Sequence, residues 1–181
     1  MNNFDDIGLK LCRFQGTLFL LSAEKVACSS AVFIRRFMNS GYAARLDRNG
    51  IISEILNEES AFEEIETEYG KSNYGSEMYR SEELYWMGYI YRYWCYTKGK
   101  SSKEAYKVIK PGELRGLYLP YHSLDPAQAI ERILEAKGLN EEDYTKRGVE
   151  IMRRIISEKT GNIRLANNQN HFSKTRGMKR P

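Results

Sequence analysis

The side chains that could do chemistry are few and far apart. His122 and His171 lie in different parts of the chain, and Cys12, Cys28 and Cys95 form no CxxC pair. A metal site needs several His, Cys or carboxylate ligands at helical or loop spacing, so these residues predict neither a metal nor another cofactor. His122, Ser123 and Asp125 bring triad residue types close in sequence, but a triad is a spatial arrangement. Asp125, just before Pro126, reads instead as a helix cap. Neither GxxxxGK[ST] nor GxGxxG occurs, so no phosphate loop is marked. Carboxylates are dense only between positions 51 and 70, at Glu54, Glu58, Glu59, Glu63, Glu64, Glu66 and Glu68. General acid–base work needs two carboxyls whose pKa values are pushed apart, and these all share one solvated environment. The expectation is a non-enzymatic protein that works by binding.

The residues that could bind are aromatic and basic. LYWMGYIYRYWCYT, positions 84–97, holds five tyrosines, two tryptophans and a single charge, Arg92. A helix apolar all round is either the buried centre of a domain or a protein-binding surface. Tyr85, Tyr89, Tyr93 and Tyr96 fall on one stripe of it, and both a core role and a partner-contact role are open to them. Arg92 has three readings: it reaches solvent, it pairs with a glutamate such as Glu83 or one of the acidic segment, or it contacts a partner.

Two basic regions could meet nucleic acid. Lys98, Lys100, Lys103, Lys107 and Lys110 flank a helix–turn–helix-like pair, Ser102–Ile109 and Pro111–Tyr118, whose second helix offers only Arg115. The last twenty residues carry Arg164, Lys174, Arg176, Lys179 and Arg180 and no acid. They could contact phosphates or order along an acidic protein groove.

The elements that must position these residues all read as helices, giving an all-α, compact multi-helix bundle around the aromatic helix 82–98. Phe4, Ile7, Leu11, Phe14, Leu18 and Leu21 step by three and four, a heptad seam that suits either packing inside the bundle or a homodimer. Gly8 and Gly16 weaken that helix by about 1 kcal/mol each. A second helix should start after Ser29 or Ser30, pairing Phe33 with Phe37 and Ile34 with Met38. A short piece, 43–48, should follow Gly41. The acidic segment predicts a helix over 60–69, with Phe62, Ile65 and Tyr69 on one face. Ser81 caps the aromatic helix and Gly99 ends it. Ser101 and Glu104 have capping-box spacing, Pro111 opens a helix that Pro120 stops, and Asp125-Pro126 and Gly138 bound another. Asn140 and the acids after it open a last helix with Tyr144, Ile151 and Ile155 facing inward.

The chain of 181 residues reads as one helical domain over 1–161, with an internal boundary at the turn-rich stretch 70–80, and a flexible basic tail over 162–181. The net charge is +4, but without the tail it is −1. Three cysteines are too few for a disulfide framework and suit a reducing cytosol. Thr17–Leu21 is the most apolar run near the front and is too short to cross a bilayer, so a soluble cytoplasmic protein is expected.

SEELYWMGYIYRYWCYT, SSKEAYKVIKPGELRGLYLPYHSLDPAQAIERIL and SSAVFIRRFMNS together resemble a family of small Firmicutes proteins known as antitoxins, over roughly residues 4–135. The resemblance implies an antitoxin of a bacterial toxin–antitoxin system, encoded beside a small toxin that often has an ADP-ribosyltransferase-like domain. It implies neutralisation by direct protein–protein binding and no catalytic residues. The candidate partner contacts are Tyr85, Tyr89, Arg92, Tyr93 and Tyr96 within the resembling stretch and, outside it, the five tail bases, whose role the resemblance leaves open. The alternative is a DNA-binding regulator using Lys103, Lys107, Lys110 and Arg115, or the tail.

Overall fold

Residues 4–48, 56–139, 149 and 151–154 are described by the structure, a computed structural model. Their regular elements are all helices: α1 (Asp6–Lys25), α2 (Ser30–Asn39), α3 (Gly41–Leu46), α4 (Glu58–Tyr69), α5 (Ser81–Lys98), α6 (Ser102–Val108), α7 (Pro111–Gly116), α8 (Tyr118–Tyr121) and α9 (Pro126–Ala136). None is long and apolar enough to cross a membrane. The chain divides into two units, Met1–Ile133 and Leu134–Pro181.

Local chemistry starts and stops the helices as the sequence predicts at Ser101–Glu104, Asp125, Gly99 and Gly138. By contrast, α3 spans 41–46 where 43–48 is expected, and α4 starts at 58 where 60 is expected, each at a cap that the sequence alone does not single out. The Ser40 hydroxyl accepts the Ala43 N–H at 3.1 Å, opening α3. The Asn57 side chain accepts from Ser60 N–H at 2.9 Å, opening α4. Ser101 and Glu104 cap one another reciprocally at the start of α6. Asp125 accepts the Ala127 N–H at 2.8 Å, and Gly99 and Gly138 close their helices with φ of +61°, a region that favours glycine.

Three further expectations are corrected. The N-cap of α5 is Arg80 rather than Ser81, with the Glu83 carboxylate accepting the Arg80 N–H at 3.0 Å. The helix from Pro111 ends at Gly116 rather than Tyr118. Pro120 does not stop a helix but lies inside α8. It is tolerated there because first-turn N–H groups have no intrahelical acceptor to lose.

In the first unit, α1 and α5 form the principal helix pair and run antiparallel. Gly8 of α1 faces Tyr96, and Gly16 faces Tyr85. Between these points a Cβ on Gly88 would stand 2.5 Å from the Gln15 carbonyl oxygen. The backbones meet at glycine, so the mostly buried α5 can lie close against α1. Of the α1 seam, Leu11, Phe14 and Leu18 turn into this chain's own core, while Phe4 and Ile7 are exposed. Phe19 packs edge-on to Phe33 at 6.0 Å and to Phe37 at 5.2 Å, joining α1 to α2. Ile34, Met38 and Tyr42 extend the same core.

The acidic helix α4 buries Ala61 and Ile65, leaves Phe62 half-buried, and exposes Tyr69. Its glutamates find cations within the chain: Lys25 with Glu59 and Arg45 with Glu64, both at 2.5 Å. Residues 70–80 cross back over the start of α2 in an irregular path. Ser29 N–H bonds the Tyr74 carbonyl at 3.0 Å, and Ser30 N–H bonds that of Glu77 at 3.1 Å. Ser29 therefore sits at the N-cap of α2 without a side-chain cap.

In the second unit, the end of α9 closes with Leu139 N–H on the Leu134 carbonyl at 2.8 Å. Residues 151–154 are helical, and Ile151, expected to face inward, is exposed, as is Met152. Tyr144, Ile155 and the whole 162–181 segment lie outside the described residues.

Candidate functional site

Arg92 is 1% exposed and is therefore not a surface contact. It is shut off from solvent and bonds to no glutamate among the described residues. Its Nη1 meets Asp47 Oδ1 at 2.7 Å, its Nε donates to Gln15 Oε1 at 2.8 Å, and its Nη2 donates to the Ser102 hydroxyl at 2.9 Å. Asp47 in turn accepts the Ser102 N–H at 2.8 Å and the Ser102 hydroxyl at 2.7 Å. One guanidinium thus ties α1, the end of α3, α5 and the start of α6. A buried charge is tolerable only when paired and hydrogen-bonded to this degree.

The four stripe tyrosines divide. Tyr96 is buried, and its hydroxyl donates to Asp5 Oδ1 at 2.7 Å. Asp5 also accepts the Gly8 N–H at 2.9 Å, and these two bonds, the Gly8 one foremost, hold its carboxyl below the usual range. Tyr96 is structural, fastening the start of α1. Tyr85, Tyr89 and Tyr93 are half-buried. Their rings succeed one another at 6.4 Å and 6.4 Å, and Phe4 continues the row 4.6 Å from Tyr93. No hydrogen bond to the hydroxyls of Tyr85, Tyr89 and Tyr93 occurs among the described residues. Burial pushes the Tyr89 hydroxyl up to about 12, so it stays a neutral donor.

The basic candidates are less alike than their sequence suggests. Arg115 lies between Glu83 and Glu77, at 2.9 and 2.6 Å, over the Tyr79 ring. Burial works against its charge, but the two carboxylates outweigh that and raise its pKa. Lys110 sits 3.9 Å above the Tyr106 ring. Lys103 and Lys107 are exposed on α6.

The other reactive types are engaged in structure. His122 stacks on Tyr118 at 4.8 Å with Nδ1 beside the Tyr118 and Leu119 carbonyls, and Asp125 is occupied as a cap. Cys12 and Cys95 are buried, which pushes both thiols up to about 12 and leaves them un-ionised. Among the described residues no three His, Cys, Asp or Glu side chains converge on a common point. The tail candidates Arg164, Lys174, Arg176, Lys179 and Arg180 lie outside the described residues.

Sequence reasoning missed Asp47, Gln15 and Ser102 around Arg92; nothing in their local spacing marks them. Compared with known proteins, the chain matches no family model, no curated protein and no solved structure.

Proposed function

We propose that this protein is an antitoxin that acts in the cytosol by binding and blocking a protein toxin encoded beside it. The observation that carries the reading is the row formed by Tyr85, Tyr89 and Tyr93, half-buried rings of one helix whose hydroxyls have no hydrogen-bond partner among the described residues. Tyrosines held this way offer large contact area and hydrogen bonds at little entropic cost, which is what binding surfaces use. The resemblance of the central block to antitoxins supports the same reading and supplies the toxin's expected class, ADP-ribosyltransferase-like. Blocking needs area and complementarity, not reactive groups. The tail bases would add contacts around an acidic cleft.

The test is co-expression with the product of the adjacent gene. A stoichiometric complex, with relief of growth arrest caused by that product alone, is the expected result. Recovery of the protein alone, with growth arrest unrelieved, overturns the reading.

The DNA-binding alternative draws on exposed Lys103 and Lys107, one turn apart on α6. It is the weaker reading because Arg115, the one base its second helix offers, is already held by two carboxylates. It requires a promoter shift that falls steeply with salt.

A further inference from the structure

Away from the tyrosine row, the first unit holds a cavity of about 230 Å³ between the end of α1, α2, α4 and the residues just after α4. Its wall is apolar. Cys28, Phe33 and Ile65 are buried there, and Phe62 presents a half-buried ring 5.5 Å from that of Phe33. The lining side chains that reach solvent furthest are charged: Lys25, Lys71 and Glu66, with Arg36 half-buried beside them.

The three cations are not equivalent. Lys25 is held by Glu59 at 2.5 Å, and Lys71 lies 3.3 Å from Glu66. Arg36 has no carboxylate partner among the described residues. Its Nη1 donates to the Gly70 carbonyl at 2.7 Å, and its guanidinium stands 5.7 Å from the centre of the Tyr69 ring. A guanidinium carries several N–H donors in a flat fork that matches a carboxylate. One carbonyl fixes this fork and leaves its charge and most of its donors to a group entering the cavity.

Size and lining narrow that group. An apolar cavity of roughly 150 Å³ takes benzene, so this one has room for a single ring and a small head group. Sites for drug-sized ligands start at about 300 Å³, so a nucleotide does not fit. An inorganic anion would meet Arg36 but leave the apolar wall against water.

We propose that this cavity binds a small aromatic monocarboxylate, its ring against Phe33 and Phe62 and its carboxylate on the Arg36 guanidinium. The site shares no residue with the tyrosine row, so it stands apart from the antitoxin reading.

The test titrates the full-length, nitrogen-15-labelled chain with benzoate and with its neutral isostere benzamide, followed by NMR. Benzoate should shift the amides of Ala27, Cys28, Gly70, Lys71 and Ser72 saturably and bind about tenfold or more tighter than benzamide. Arg36→Gln keeps a donor for the Gly70 carbonyl and removes the charge, so it should bring benzoate down to the level of benzamide. Lys71→Gln, at a side chain 90% exposed, should weaken benzoate only about twofold. Phe62→Ala should weaken both probes. Absence of saturable shifts with benzoate, shifts centred elsewhere, or equal affinity for the two probes overturns the proposal. So does a preference for benzoate that survives Arg36→Gln. The comparison of the two probes uses the wild-type chain, so it decides even where a variant fails to fold.

Discussion

Arg92 can sit inside the first unit because each of its three guanidinium nitrogens donates to an acceptor: Gln15, Asp47 or Ser102. Removing an ion from water costs several kcal/mol, and the pair offsets this only while both partners remain. Asp47→Asn keeps the shape but leaves the arginine charge uncompensated, so it should cost about 3 kcal/mol. The check is a urea titration in which the midpoint falls and the slope does not change. Tyr96→Phe is the milder test. It removes the 2.7 Å bond to Asp5, should cost about 1 kcal/mol, and should let the Asp5 carboxyl titrate closer to its ordinary value by NMR. The aromatic surroundings of Arg92 are legible in the sequence, and so is its need for a carboxylate. The identity of that carboxylate is not, since Asp47 lies 45 residues upstream and meets α5 and α6 only through its own bonds at the end of α3.

Helix ends were readable because capping is local: Ser101 with Glu104, Asp125 with Pro126, Gly99 and Gly138 act within a turn of themselves. Helix crossings were not, because they depend on which faces meet. Gly8 and Gly16 read from the sequence as helix-weakening residues. In the fold they are where Tyr96 and Tyr85 press onto α1, and at Gly88 the α1 backbone at Gln15 and Gly16 comes so close that no Cβ fits. Ordinary helix propensity makes Gly→Ala favourable by about 1 kcal/mol. At Gly88 the added methyl would stand 2.5 Å from a backbone oxygen that no side-chain rotation can move. Gly88→Ala should therefore push α1 from α5 and destabilise by about 2 kcal/mol net, lowering the melting temperature. Gly116→Ala, with nothing within 4 Å of its Cβ, is the control and should be neutral or slightly stabilising. A Gly88→Ala protein as stable as wild type would mean that the helices do not cross here.

At the scale of the whole first unit, tyrosine does what disulfides or metals do elsewhere: it fastens distant elements by a buried phenol. Tyr42 donates to the Asn57 carbonyl at the start of α4, Tyr91 to the Ile109 carbonyl after α6, and Tyr96 to Asp5 before α1. Each fastening needs the phenol proton. Burial, foremost among the causes, pushes Tyr42 and Tyr96 up to about 12, and Tyr91 well above its ordinary value. In the unfolded chain these groups titrate near 10. Above that pH the unfolded state has lost protons that the folded state still holds, so the unfolded state binds fewer and stability falls as pH rises. Below about pH 9 both states are protonated, and these groups give no pH dependence. The melting temperature should accordingly be level with respect to these groups up to about pH 9, then fall through pH 10 to 12. Ultraviolet difference absorbance over the same range should resolve two classes of tyrosine: exposed ones that ionise near pH 10 in the folded protein, and a buried class that ionises only together with loss of helical circular dichroism. A single reversible step near pH 10 that included every tyrosine, with helicity intact, would show that these phenols are not the fastenings the hydrogen bonds describe.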